Sequence, residues 1–223
     1  MRRIFCIFLC FSLLISPVFA AEEVKYVALT FDDGPSGRYT RRLLEGLQAR
    51  GVKATFFLCG YRLKEYPKEA QRIFAEGHEI GLHGYSHENM GQMSYQQAKK
   101  ELQDTLALLP KNCDPAFLRP PGGANGSGLQ QAAKEAGVAI LNWSVDPKDW
   151  ANHDASAVTA AVTGSVQDGD IILLHDMCDC SVTAALQIID ALQKQGFRFV
   201  TVSELAQLRG ITPTPGQLYN RFG

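Results

Sequence analysis

Ile171-Ile172-Leu173-Leu174 runs directly into His175-Asp176. Four consecutive apolar residues with no polar alternation suit a strand covered on both faces, as in parallel sheets. The imidazole and carboxylate just past that run mark the strand's carboxyl end as a polar place. Four other apolar stretches end in the same way. Residues 24–31 lead into Asp32-Asp33, and residues 78–82 into His83-Gly84-Tyr85-Ser86-His87. Residues 116–118 lead into Arg119-Pro120-Pro121-Gly122-Gly123, and 138–143 into the stretch from Asp146 to Trp150.

Between these strands a short grammar repeats: helical pattern, glycine, strand. It reads 43–50, Gly51, 53–58, and again 66–76, Gly77, 78–82. It returns as 130–136, Gly137, 138–143, and as 184–195, Gly196, 197–202. Glycine just past a helix takes the left-handed conformation that ends it without a side-chain clash. Ser94 opens a further helix reaching to about Leu109. Strands alternating with helices imply parallel pairing through crossovers. The α/β pattern holds seven strands, compatible with an open sheet or a barrel. Five polar clusters at strand ends favour the barrel, where such ends gather in a ring on one face, over a sheet that spreads them along a line. The chain is shorter than a full eight-unit barrel, so a distorted or reduced (β/α) barrel of about seven parallel strands is expected.

The first twenty residues stand apart. Met1-Arg2-Arg3 is basic, residues 4–19 are apolar, and Val18-Phe19-Ala20 ends in small residues, which is the pattern of a secretory signal. An uncleaved N-terminal anchor is the alternative reading. About 200 residues follow, enough for one well-buried domain over 21–223. A net charge of −1, with no block of basic residues, points away from nucleic acid and anionic lipid as partners. No membrane contact is expected beyond the signal, and nothing indicates an oligomeric state.

Two adjacent carboxylates and a His-x-x-x-His pair supply the parts for one metal-activated water with a base beside it. Hydrolytic metal sites keep three protein ligands and one open position. Successive side chains at a strand end point to opposite faces, so Asp32 and Asp33 are expected to take different tasks. Each cluster alone has a bland reading. Asp-Asp-Gly-Pro is turn-forming, the Asp146–Trp150 stretch could cap a helix, and His175 could be a core histidine. Their order and shared placement at strand ends change that.

The order resembles the polysaccharide deacetylases, the NodB-homology family of carbohydrate esterases, through five motifs from Thr30 to Asp176 and a family-like close at residues 197–205. The resemblance implies metal-dependent removal of N- or O-acetyl groups from a polysaccharide. Asp33, His83 and His87 match the metal ligands, Asp32 the general base, and Arg119 the residue orienting it. His175 matches the general acid, and Asp146 the acidic residue engaging the Arg and His side. Trp150 looks like a groove wall and Leu174 like part of an acetyl-methyl pocket. Pro121 and Gly122 border the substrate, with a backbone N–H after Pro121 as oxyanion donor. One carboxylate and two imidazoles suit zinc, with cobalt, nickel or manganese as alternatives. Two departures stand out. Gly84 replaces a hydroxyl residue that would brace the histidine loop, and Gly122 replaces an aromatic wall.

An exported enzyme, secreted, periplasmic or cell-wall associated, is therefore expected to act on peptidoglycan or a chitin-like glycan. An acetylxylan esterase and a non-catalytic glycan-binding relative are the alternatives. His78 reads as structural and His153 as exposed. Of the cysteines, Cys178 and Cys180 are separated only by Asp179, which disfavours a mutual bridge, while Cys113 falls nearer the opposite face. Cys59, at a strand end on the polar face, is expected to pair with Cys178 or Cys180, although a Cys-x-Cys metal site competes.

Overall fold

In the computed structural model, which describes residues 24–222, eight strands are interleaved with eight helices. The segment read as a signal, residues 1–20, lies outside the described residues. β1 (Lys25–Gly34), β2 (Thr55–Leu58), β3 (Glu79–Leu82), β4 (Phe117–Leu118), β5 (Ala139–Leu141), β6 (Ile171–His175) and β7 (Phe197–Val200) are the seven expected strands. β8 (Leu218–Tyr219) adds two residues, with no apolar run to announce it. The helices are α1 (Arg38–Ala49), α2 (Gly60–Glu65), α3 (Pro67–Ala75), α4 (Tyr95–Leu106), α5 (Ser127–Glu135), α6 (Ala155–Thr163), α7 (Asp179–Lys194) and α8 (Val202–Leu208).

Every strand pairing is parallel, in the order β6-β1-β2-β3-β4-β5-β8. β1 is long enough to serve two neighbours along one edge: β7 pairs with its first half and β2 with its second. Beyond β5 the chain returns to β6 through a single bridge, Val145 to Ile172, where the Leu173 N–H donates to the Val145 carbonyl at 2.9 Å. The sheet therefore curls into a distorted βα barrel. Gly51, Gly77, Gly137 and Gly196 all sit at positive φ, between 63° and 82°, at the helix ends where the sequence places them. Ser94 caps α4 through a reciprocal box with Gln97.

Strand alternation sorts the apolar residues into two layers. Leu29, Phe31, Phe56, Leu58, Ile172 and Leu174 pack outward with Leu43, Leu44 and Leu47 of α1, Ile73 of α3, Val158 of α6 and Ile188 of α7. Ala28, Phe57, Phe117, Leu141 and Ile171 form a separate group with Val202 and Leu205 of α8 and with Phe222. A smaller cluster joins Leu102 of α4 and Leu129 of α5 to Leu82 and Ile140. Each fully buried Leu or Phe contributes about 1.5–3 kcal/mol by leaving water. The inner layer is short of such residues toward the strand ends, where Thr30, Asp32 and Arg119 are buried instead.

Phe222 is fully buried although only one residue follows it in the sequence, and its ring centroid lies 6.2 Å from that of Phe117. Phe222→Ala is expected to lower unfolding stability by about 3–5 kcal/mol, read from urea denaturation. An unchanged midpoint would show that the C-terminal segment is no part of the core.

Candidate functional site

Asp32 of β1 is in register with His175 of β6, so both stand at the same level of the barrel mouth. Strict alternation would send Asp33 to the other face. Instead the pairing of β1 with β2 shifts between Phe31 and Gly34, and Asp33 takes φ 70°. That irregularity re-aims its side chain. Both carboxylates reach the mouth, with His83 Nε2 3.1 Å from Asp33 Oδ1 and 3.9 Å from Asp32 Oδ2.

Arg119 has no exposed surface, and its guanidinium is hydrogen-bonded on every nitrogen. Nη1 donates to Asp32 Oδ1 and to Thr30 Oγ1, both at 2.7 Å. Nη2 donates to the Asn142 carbonyl at 2.8 Å and Nε to the Leu141 carbonyl at 3.2 Å. Its charged plane also lies over the Phe57 ring, 4.1 Å from the centroid. One Asp32 oxygen is therefore held, and the other faces the histidines.

His83 Nδ1 lies 2.7 Å from the Arg119 carbonyl oxygen. A carbonyl only accepts, so Nδ1 carries the hydrogen and a neutral ring turns the Nε2 lone pair toward Asp33. His87, at φ 61°, brings its own Nε2 within 2.9 Å of the same Asp33 Oδ1. That oxygen is buried and forms no hydrogen bond of regular geometry. A carboxylate oxygen facing two imidazole nitrogens is a donor set that fits a divalent cation. Cys59 Sγ also comes within 4.8 Å of ligand atoms of Asp33 and His83. Burial, then the charges of Asp33 and Asp32, push its pKa up, and its thiol donates toward the His83 carbonyl at 3.8 Å.

The histidine loop is braced without the missing hydroxyl. Glu101 of α4 accepts from the N–H of Tyr85 at 2.7 Å and of Ser86 at 2.9 Å, and from the Ser86 hydroxyl at 3.0 Å. Gly84 sits at φ 73°, where a Cβ would stand 3.0 Å from Met90 Sδ. The brace that Gly84 cannot supply therefore comes from a carboxylate on a neighbouring helix. No local signal in the sequence marks Glu101 for this. At Gly122, by contrast, a Cβ would meet nothing within 4 Å, so the wall lost there is open space beside buried Pro121.

Three expectations are corrected. The carboxylate engaging His175 is Asp149, not Asp146. Asp149 is fully buried and accepts from His175 Nδ1 at 2.8 Å and from its backbone N–H at 2.9 Å, while Asp146 is exposed and, among the described residues, accepts only from the Lys148 N–H. Leu174 does not face the mouth. It neighbours His175 on a strand, so alternation sends it into the outer core, where it has no exposed surface. Cys59 is not bridged: Cys178 and Cys180 are joined to each other, their Cα atoms 5.5 Å apart within the ordinary disulfide range. Trp150 is 61% exposed on the loop carrying Asp149. His78 is structural: its Nδ1 accepts from the Ala54 N–H, and burial lowers its pKa to about 4.

Burial opposes charge on His175, but the hydrogen bond and charge of Asp149, with Asp32 and Asp33, raise its pKa to about 9. Its folded value thus exceeds the ordinary 6.5, so the stability it contributes is complete below about pH 6.5 and is lost as pH rises through about 9. In Asp149→Asn the His175 pKa is expected to fall well below 9, followed by NMR of the imidazole. An unmoved titration would mean that Asp149 is not its partner.

The model of the polysaccharide deacetylase family matches residues 20–141. A peptidoglycan-N-acetylglucosamine deacetylase of Bacillus cereus is 37% identical over 191 residues, covering 83% of this chain and 90% of that protein. The peptidoglycan-N-acetylmuramic acid deacetylase PdaC of Bacillus subtilis is 36% identical, over 83% of this chain but only 39% of its own length. Among solved structures, T48 deacetylase with substrate superposes with a TM-score of 0.82 at 36% identity, covering 88% of this chain and 97% of that one. A family 4 acetyl xylan esterase from Clostridium thermocellum in complex with a cobalt ion gives 0.81 at 36% identity, covering 88% and 98%. The chain therefore belongs to the polysaccharide deacetylase family of hydrolases.

Proposed function

We propose that this chain is an exported, metal-dependent hydrolase that removes N-acetyl groups from peptidoglycan or a chitin-like glycan, releasing acetate. The observation that carries the metal is the buried, unbonded Asp33 Oδ1 between the Nε2 atoms of His83 and His87. Asp33, His83 and His87 would hold the ion. When bound, a divalent cation supplies positive charge that polarises an acetyl carbonyl and eases loss of a proton from water. Zinc suits the donor set, with cobalt, nickel or manganese as alternatives. Relatives named as peptidoglycan and chitooligosaccharide deacetylases support the N-acetyl substrate and a cell-wall setting.

The chain's own residues divide the proton traffic. Asp32, with Oδ1 held by Arg119, keeps Oδ2 free to take a proton from the attacking water. Asp149 fixes Nδ1 of His175, so Nε2, 4.0 Å from Asp33 Oδ2, faces the mouth and can hand its proton to the leaving nitrogen. A backbone N–H after Pro121 would meet the oxyanion. The open space at Gly122 and the exposed Trp150 leave room for a polymer across the mouth.

Asp32→Asn is expected to retain the metal and lose about 10²–10⁴-fold in turnover, measured as acetate release. Ala at Asp33, His83 or His87 is expected to lose metal and turnover together. Full metal occupancy in those Ala variants, or metal loss with normal turnover in Asp32→Asn, would overturn the assignment. Running acetylxylan alongside chitooligosaccharide and peptidoglycan distinguishes an O-acetyl esterase.

A further inference from the structure

The Cys-x-Cys pair takes no part in this chemistry, yet it lies beside a histidine with no other hydrogen bond among the described residues. Cys178 caps α7, where the Ser181 N–H donates to its Sγ at 3.3 Å. Cys180 Sγ is 3.7 Å from Nδ1 of His153, the residue before the Asp154 cap of α6. The ligand atoms of His153, Cys178 and Cys180 all lie within 4.8 Å of one another. Val158 and Val162 of α6 share a core with Val182 and Ala185 of α7, so two helix starts hold the three donors side by side. All three residues are exposed or half-buried, open to a reductant and to a cation.

We propose that His153, Cys178 and Cys180 form a second, thiophilic metal site on the rim, available when their disulfide is reduced. In the structure the two sulfurs are bonded to each other, so the disulfide and the metal site exclude one another. An external dithiol supplies two electrons and two protons, breaking the S–S bond and becoming a disulfide itself. Binding of Zn²⁺ then forms two metal–sulfur bonds and one metal–nitrogen bond, and two thiol protons leave to water. Two thiolates and one imidazole suit zinc with a fourth position open. The start of α7 favours the thiolate at Cys178, toward which an N–H already points.

The test compares the chelator-stripped protein before and after reduction by a dithiol that is then removed without air. Zinc is counted by equilibrium dialysis, and Co²⁺ is followed by its sulfur-to-metal charge-transfer absorption. Reduction is expected to add one equivalent of Zn²⁺ per chain and to create the cobalt absorption. His153→Ala should weaken the added site about tenfold or more, and Cys178→Ser with Cys180→Ser should abolish it. Because the increment on reduction is read, the result holds whether or not the barrel mouth binds metal. Among the described residues Cys59 and Cys113 form no bridge, so the dithiol step does not alter them. Equal zinc content in the two states, or a cobalt absorption that survives the double substitution, would overturn the proposal.

Discussion

A guanidinium with no access to water sits at the centre of this barrel, and the arrangement of the site follows from how it is satisfied. An unpaired buried charge costs several kcal/mol, so each nitrogen of the Arg119 guanidinium needs a partner. It takes them from two strand ends: Asp32 and Thr30 on β1, the Leu141 carbonyl on β5, and the Asn142 carbonyl just beyond it. The residue's own carbonyl fixes the hydrogen of His83 on Nδ1. One side chain and its backbone thereby orient a carboxylate and set the tautomer of a neighbouring imidazole.

Four aspartates near the mouth show how environment divides one functional group into several. Asp32 shares a charge with Arg119. Asp33 keeps an oxygen without a hydrogen bond between two imidazoles. Asp149 is spent on His175 and keeps that ring charged to higher pH. Asp176 is fully buried, and its pKa is raised to about 6, burial outweighing the hydrogen bond from Thr40. A Cβ on Gly34 would stand 2.6 Å from Asp176 Oδ1, so the turn after the two aspartates closes against this carboxyl and leaves room only for glycine.

The barrel was legible because its signals are local: apolar runs, glycines that end helices, and polar residues clustered at strand ends. Asp32, Asp33, His83, His87, Arg119 and His175 stand out in the sequence through the same placement together with the family resemblance, and the fold brings them to one mouth. Leu174 could have been excluded by alternation alone, since it and its neighbour His175 cannot face the same way. Asp149 could not be told from Asp146, because an irregular loop has no period to say which acid turns inward. Asp33 reaches the mouth through a left-handed backbone that breaks the alternation rule. Glu101 acts across a tertiary contact with no trace in its own helix pattern. Sequence separation disfavours the Cys178–Cys180 bridge, whereas Cα distance decides it.

Under the proposed function, acetate release depends on one cation held at the barrel mouth. The most direct measurement starts from chelator-stripped protein with the Cys178–Cys180 disulfide intact. Zn²⁺ is titrated in while acetate released from an N-acetylated chitooligosaccharide is followed. Acetate release should be negligible at first, rise in proportion to added metal, and level off at one equivalent per chain. Full acetate release from the stripped protein, unchanged by added metal, would contradict the account.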